Sequence, residues 1–141
     1  MTTRRGGRDM TARRVGEYLV GVTSGLIFLS SFAHGLLGWP ELEAALQGRV
    51  DPDVLGALGI GWHFGSVSMA TFGLLGLVSF FQMRRGSAGA RWTPALIGAA
   101  YALFGVGAFL YSGPSPHFAF FVVLGLLLVA GALMWSREAG E

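Results

Sequence analysis

Residues 15–38, 55–83, 94–111 and 117–135 form four apolar runs that together contain one acid, Glu17, and no arginine or lysine. A helix needs about 20 residues, at about 1.5 Å each, to cross the roughly 30 Å of hydrocarbon in a bilayer, and each run is of that order. None alternates with a period of two, so neither a half-buried strand nor a strand of an outer-membrane barrel fits. Of the 141 residues 52% are apolar and 13% charged, the latter about half the usual share of a soluble domain. The expected fold is all-α: a polytopic membrane protein built as a four-transmembrane-helix bundle. It is expected to be one domain over residues 15–136, with a cytoplasmic basic tail at 1–14 and a second cytoplasmic tail at 137–141. Four spans leave no room for a second, soluble catalytic domain.

Helix starts carry recognisable chemistry. Asp51-Pro52, Thr93-Pro94 and Ser115-Pro116 each set a capping side chain before a proline, which is tolerated where the helical N–H has no partner. Trp39-Pro40-Glu41 marks another start, with acids following, and predicts a short helix over 40–47 in the first connection. It is too short to cross a bilayer and is expected to lie in the interface.

Every basic side chain is an arginine. Arg4, Arg5, Arg8, Arg13, Arg14, Arg84, Arg85, Arg91 and Arg137 flank one end of the four runs, and only Arg49 sits at the other. By the positive-inside rule both termini face the cytoplasm of a bacterial plasma membrane. The formal net charge of +2 does not point to nucleic acid, because the arginines border apolar runs instead of lining one face of a folded domain. A signal peptide is a weaker reading of the first run. Arg13-Arg14 precedes it and Ser31-Phe32-Ala33 resembles a cleavage site, but the apolar run continues through Leu36, Leu37 and Trp39. A twin-arginine signal does not fit the Val-Gly-Glu that follows Arg14.

Measuring about 20 residues inward from each flanking arginine gives a common depth scale. Counts from Arg14, Arg84, Arg91 and Arg137 end at His34, beside His63, at Tyr111 and at His117. All three histidines and one tyrosine therefore fall in one layer at the outer boundary of the spans. Imidazoles at matched depth on facing helices can hold haem b or a transition metal, or carry protons. Gly35, Gly38, Gly61 and Gly65 leave space around two of them, and Ser30, Ser31 and Ser66 lie within reach as hydrogen-bond partners. A boundary layer also collects amphipathic side chains of every membrane protein. On that reading the histidines bond to headgroups or water, Trp39, Trp62 and Tyr111 form an outer aromatic belt, and Trp92 and Trp135 form an inner one.

Gly21/Gly25 and Gly61/Gly65 are GxxxG pairs, expected to bring helices close within the chain or between copies. Glu17, one turn from Arg13 and Arg14, is expected in an interfacial ion pair. Phe118, Phe120 and Phe121 read as core or lipid contact. With no cysteine, thiolate metal sites and thiol chemistry are excluded, and no phosphate loop, nucleophile elbow or metalloprotease pattern is present. The functional expectations are a small membrane protein that binds haem or metal through His34, His63 and His117 with Tyr111 nearby, or a non-catalytic accessory or scaffold subunit that docks other membrane subunits or a second copy. A small-solute or proton transporter ranks third; Thr23, Ser24, Thr71 and Tyr101 are the mid-span polar groups it would use.

Overall fold

The computed structural model describes residues 3–136, and the side chains of residues 12–135. Arg4, Arg5 and Arg8 of the expected tail have their side chains outside that range, as has all of 137–141 with Arg137. Helix α1 spans Thr3–Ala33, passes through a π-helical turn at His34–Gly38 and continues as α2, Trp39–Leu46. α3 covers Pro52–Arg84, α4 Trp92–Ser112 and α5 Pro116–Ser136, and among the described residues there is no strand. Four helical stretches, Ala12–Leu46, Pro52–Arg84, Ala88–Ser112 and Pro116–Trp135, are long and apolar enough to cross a membrane.

Two of the expected caps form. Asp51 Oδ1 accepts from the Asp53 amide at 2.8 Å, and the Ser115 hydroxyl accepts from the His117 amide at 3.3 Å. Thr93 caps nothing, because α4 grows directly out of a 3-10 turn at Ala88–Arg91 whose Gly89 carbonyl takes the Trp92 amide. Pro94 then falls inside the first turn, where its missing N–H costs no bond. Nor is α2 a separate element entered from a loop. It is the end of the first helical stretch, reached without a break, and Pro40 explains the π turn before it. A proline ring clashes with the carbonyl four residues back and offers no N–H to it, and a widened turn relieves both problems. At the same end of the bundle Gly113, at φ 89°, stops α4 in a backbone conformation that L side chains rarely adopt.

α1 is flanked by α3 on one side and α5 on the other, and α4 packs on the far side of α5. α3 and α4, neighbours in the chain, touch sparingly. The order in space is therefore α3–α1–α5–α4, a bundle closed on three sides. Glycines at the crossings account for this. A Cβ on Gly16 would lie 2.6 Å from the Gly131 carbonyl, and one on Gly125 would lie 2.5 Å from that of Gly98, so α1/α5 and α4/α5 meet backbone to backbone. Gly73 faces the backbone of Phe28 and Gly76 the side chain of Ser24, joining α1 to α3. No α3 or α4 glycine has its nearest neighbours on the other of those two helices.

The GxxxG pairs are not the contacts they resemble. Gly25 and Gly61 face open space, Gly21 meets the Phe80 side chain of α3 and no backbone among its nearest neighbours, and Gly65 meets His34. The crossings use other glycines, and they use them within the chain. Val20, Ile27, Met83 and Leu128 fill the space that these approaches enclose.

At the arginine end Glu17 ties α1 to α5. Its carboxylate receives Arg13 Nε at 3.4 Å and Trp135 Nε1 at 3.3 Å, while the Arg13 guanidinium lies 5.0 Å from the Trp135 ring. Trp135 is 4% exposed, so it belongs to the core and not to an aromatic belt. Trp92 remains exposed.

Gly125→Ala should lower stability by about 1–3 kcal/mol, the usual range for overpacking, because both helices must part. Gly61→Ala should cost nothing. Thermal unfolding of the detergent-solubilised protein separates the two.

Candidate functional site

The layer of histidines divides in the fold. His34 and His117 come together, with ring centres 6.1 Å apart and planes 19° from parallel. His63 follows Trp62 around α3 and lines a separate recess with Ser31, Gly35 and Ser66, its ring 5.8 Å from that of Trp39. Tyr111, at 94% exposure, joins neither. Among the described residues no three His, Cys, Asp or Glu side chains are grouped so as to hold a metal ion. The serine hydroxyls are committed to their own helices: Ser30 donates to the Ile27 carbonyl, Ser31 to that of Phe28 and Ser66 to that of Trp62. None is a partner of an imidazole.

What holds His34 is the π turn and Trp62. The indole Nε1 donates to the His34 carbonyl at 2.8 Å, and its ring lies flat on the His34 imidazole, centres 4.1 Å apart and 8° from parallel. Two glycines make room for this. A Cβ on Gly38 would lie 2.9 Å from Trp62 Cζ2, and one on Gly59 would lie 2.8 Å from Trp39 Cζ2. Each of the two neighbouring helical segments thus lays a tryptophan on a glycine of the other, and α2 is clasped to the start of α3. Trp62 is a structural wall of the site and not a member of an outer belt.

Beside this clasp lies a pocket of about 560 Å³. α1 supplies Ser30 and Ala33 to it and the π turn His34, α3 supplies Trp62 and Met69, and α5 supplies His117, Phe120 and Phe121. Glu41 and Leu42 of α2 reach over one side. No residue of α4 lines it, although Tyr101 and Phe104 of α4 pack against the lining residue Phe121 from behind. Trp62 to Met69 is two turns of one helix face, so the pocket extends about 10 Å from its histidine level towards mid-helix. Its polar groups are the two imidazoles and Glu41 towards one end, with the Ser30 hydroxyl, bonded to its own helix, one turn further in; its other end is Met69 and Phe121. No arginine lines it.

Sequence reasoning missed Glu41, Met69, Phe120 and Phe121 as members of this site. A signal existed: residues 30, 33 and 34, residues 62 and 69, and residues 117, 120 and 121 each recur at helical spacing on one face. The mid-helix polar groups do not join the pocket. Thr71 is exposed and bonded to the Val67 carbonyl, whereas Thr23, Ser24 and Tyr101 are buried in the core.

Comparison with protein-family models, with curated proteins and with solved structures found no match. The reading of this site rests on its geometry.

Trp62→Phe keeps a ring but removes the donor to the His34 carbonyl, and should cost about 1 kcal/mol. Trp92→Phe, which changes an exposed indole, should leave the unfolding midpoint in place, and a melting comparison of the two variants checks the assignment.

Proposed function

We propose that this protein is a multi-pass component of a bacterial plasma membrane that binds a small, membrane-soluble molecule in the pocket between His34 and His117. The observation that carries the proposal is the pocket itself: polar at one end, apolar at the other, walled by α1, α3 and α5, and without a wall from α4. Four helices of spanning length support the membrane location, and the arginines at one end support cytoplasmic termini. In that setting the polar end lies at the outer headgroup level, and the missing wall gives access from the bilayer. A ligand can enter sideways with its polar part beside the imidazoles and its apolar part towards Met69.

Haem is a second reading. Two imidazoles on opposite faces of one iron, each bonded at about 2 Å, have ring centres about 6 Å apart, close to the 6.1 Å between His34 and His117. Charge opposes it. Haem carries two carboxylates, and this pocket offers a further carboxylate, Glu41, with no arginine to pair them. An uncharged ligand fits the lining better.

Two measurements test these readings. Because the chain has no cysteine, single cysteines report topology cleanly. Gln47→Cys should react with a membrane-impermeant maleimide in intact cells and Ser87→Cys only after lysis; the reverse would invert the orientation. For the pocket, purified protein should show no Soret band, and solvent extraction should release an uncharged amphiphile that is depleted from His117→Ala. A stoichiometric Soret band would install haem instead, and an extract unchanged by His117→Ala would remove the pocket as the binding site.

A further inference from the structure

Resting on the reading of the pocket as a ligand site, we infer that its ligand is a lipid-soluble quinone or quinol, with one ring oxygen within reach of both His34 and His117, whose ring centres are 6.1 Å apart, and the tail directed towards Met69. The shape comes first. The lining presents rings from three helices, with Trp62 and His34 stacked into one wall and His117 edge-on to Phe121, ring centres 5.3 Å apart. Such walls suit a flat headgroup better than a branched or tetrahedral one.

Chemistry narrows it further. A phosphate or carboxylate headgroup needs a cation, and no arginine lines the pocket. A quaternary ammonium needs open aromatic faces around it, and one face of Trp62 is already covered by His34. What remains is an uncharged ring that exchanges hydrogen bonds. Imidazole N–H groups donate to the carbonyl oxygens of a quinone, and a carboxylate accepts from the hydroxyls of a quinol. His34, His117 and Glu41 provide both kinds of partner at one end of the pocket. The opposite end, Met69 with Phe121, is apolar and polarizable, suited to an isoprenoid chain. Only binding is inferred, and no electron-transfer step.

The test uses the full-length protein in phosphatidylcholine nanodiscs, with decylubiquinone as the probe and tryptophan emission as the readout. Saturable quenching is expected, most of it lost in Trp62→Phe. His117→Ala should weaken binding about tenfold, the equivalent of one hydrogen bond. Glu41→Gln changes an exposed side chain and leaves the core intact. It should weaken decylubiquinol several-fold more than decylubiquinone, a difference that a folding defect would not produce. Quenching of equal size in wild type, Trp62→Phe and His117→Ala would mean partition into the bilayer alone and would overturn the inference. If decylubiquinone fails while a different amphiphile is extracted in a His117-dependent manner, the quinone assignment falls and the pocket stands. If neither binds, both fall.

Discussion

Helices that are apolar on every side cannot sort themselves by hiding a greasy face, so which pairs meet depends on where two backbones can come close. In this protein glycine decides that. Gly16 against Gly131, Gly98 against Gly125, and Gly73 and Gly76 against α1 set three close contacts, and close backbone approach at such crossings gives van der Waals contact that bulkier residues would prevent. The fourth possible contact, α3 with α4, has no glycine crossing and stays loose. The pocket is lined by the three helices that these close contacts join or flank, and no α4 residue enters its lining.

The same economy of side-chain volume shapes the site. Pro40 cannot continue a regular helix without strain, the turn before it widens, and the His34 carbonyl takes the Trp62 indole as a donor. Gly38 and Gly59 then receive the two indoles. A proline, two glycines and two tryptophans spread over residues 38–62 thus orient one imidazole, and the pocket's polar end depends on all of them. The Glu17 contacts to Arg13 and Trp135 play a comparable part at the opposite end, where α1 and α5 are joined.

Much of this architecture was legible along the chain. Unbroken apolar runs imply helices of spanning length, and Asp51 and Ser115 announced real helix starts. Thr93 did not, because α4 already begins at Trp92, out of a 3-10 turn, and Thr93 lies inside its first turn. The GxxxG spacings misled for a related reason. Spacing within one helix describes a face, but not whether another helix comes to it; Gly61 meets nothing, while Gly131, outside any such pair, meets Gly16. The histidines were placed at a common depth by counting residues, which measures distance along an axis and carries no information about rotation around it. His34 and His117 turned towards each other, and His63, one residue beyond the pocket wall formed by Trp62, turned away.

By itself, then, the sequence determined the number of helices, their lengths, the end at which the arginines collect and the level at which the histidines lie, because each is a one-dimensional property of hydrophobicity and rise per residue. Only the tertiary structure decided which histidines share a pocket, that Trp62 and Trp135 face inward, and that Glu41, Met69 and the α5 phenylalanines belong to the site. Those depend on helix rotation and on which backbones approach, and rotation is settled by contacts between residues far apart in the chain.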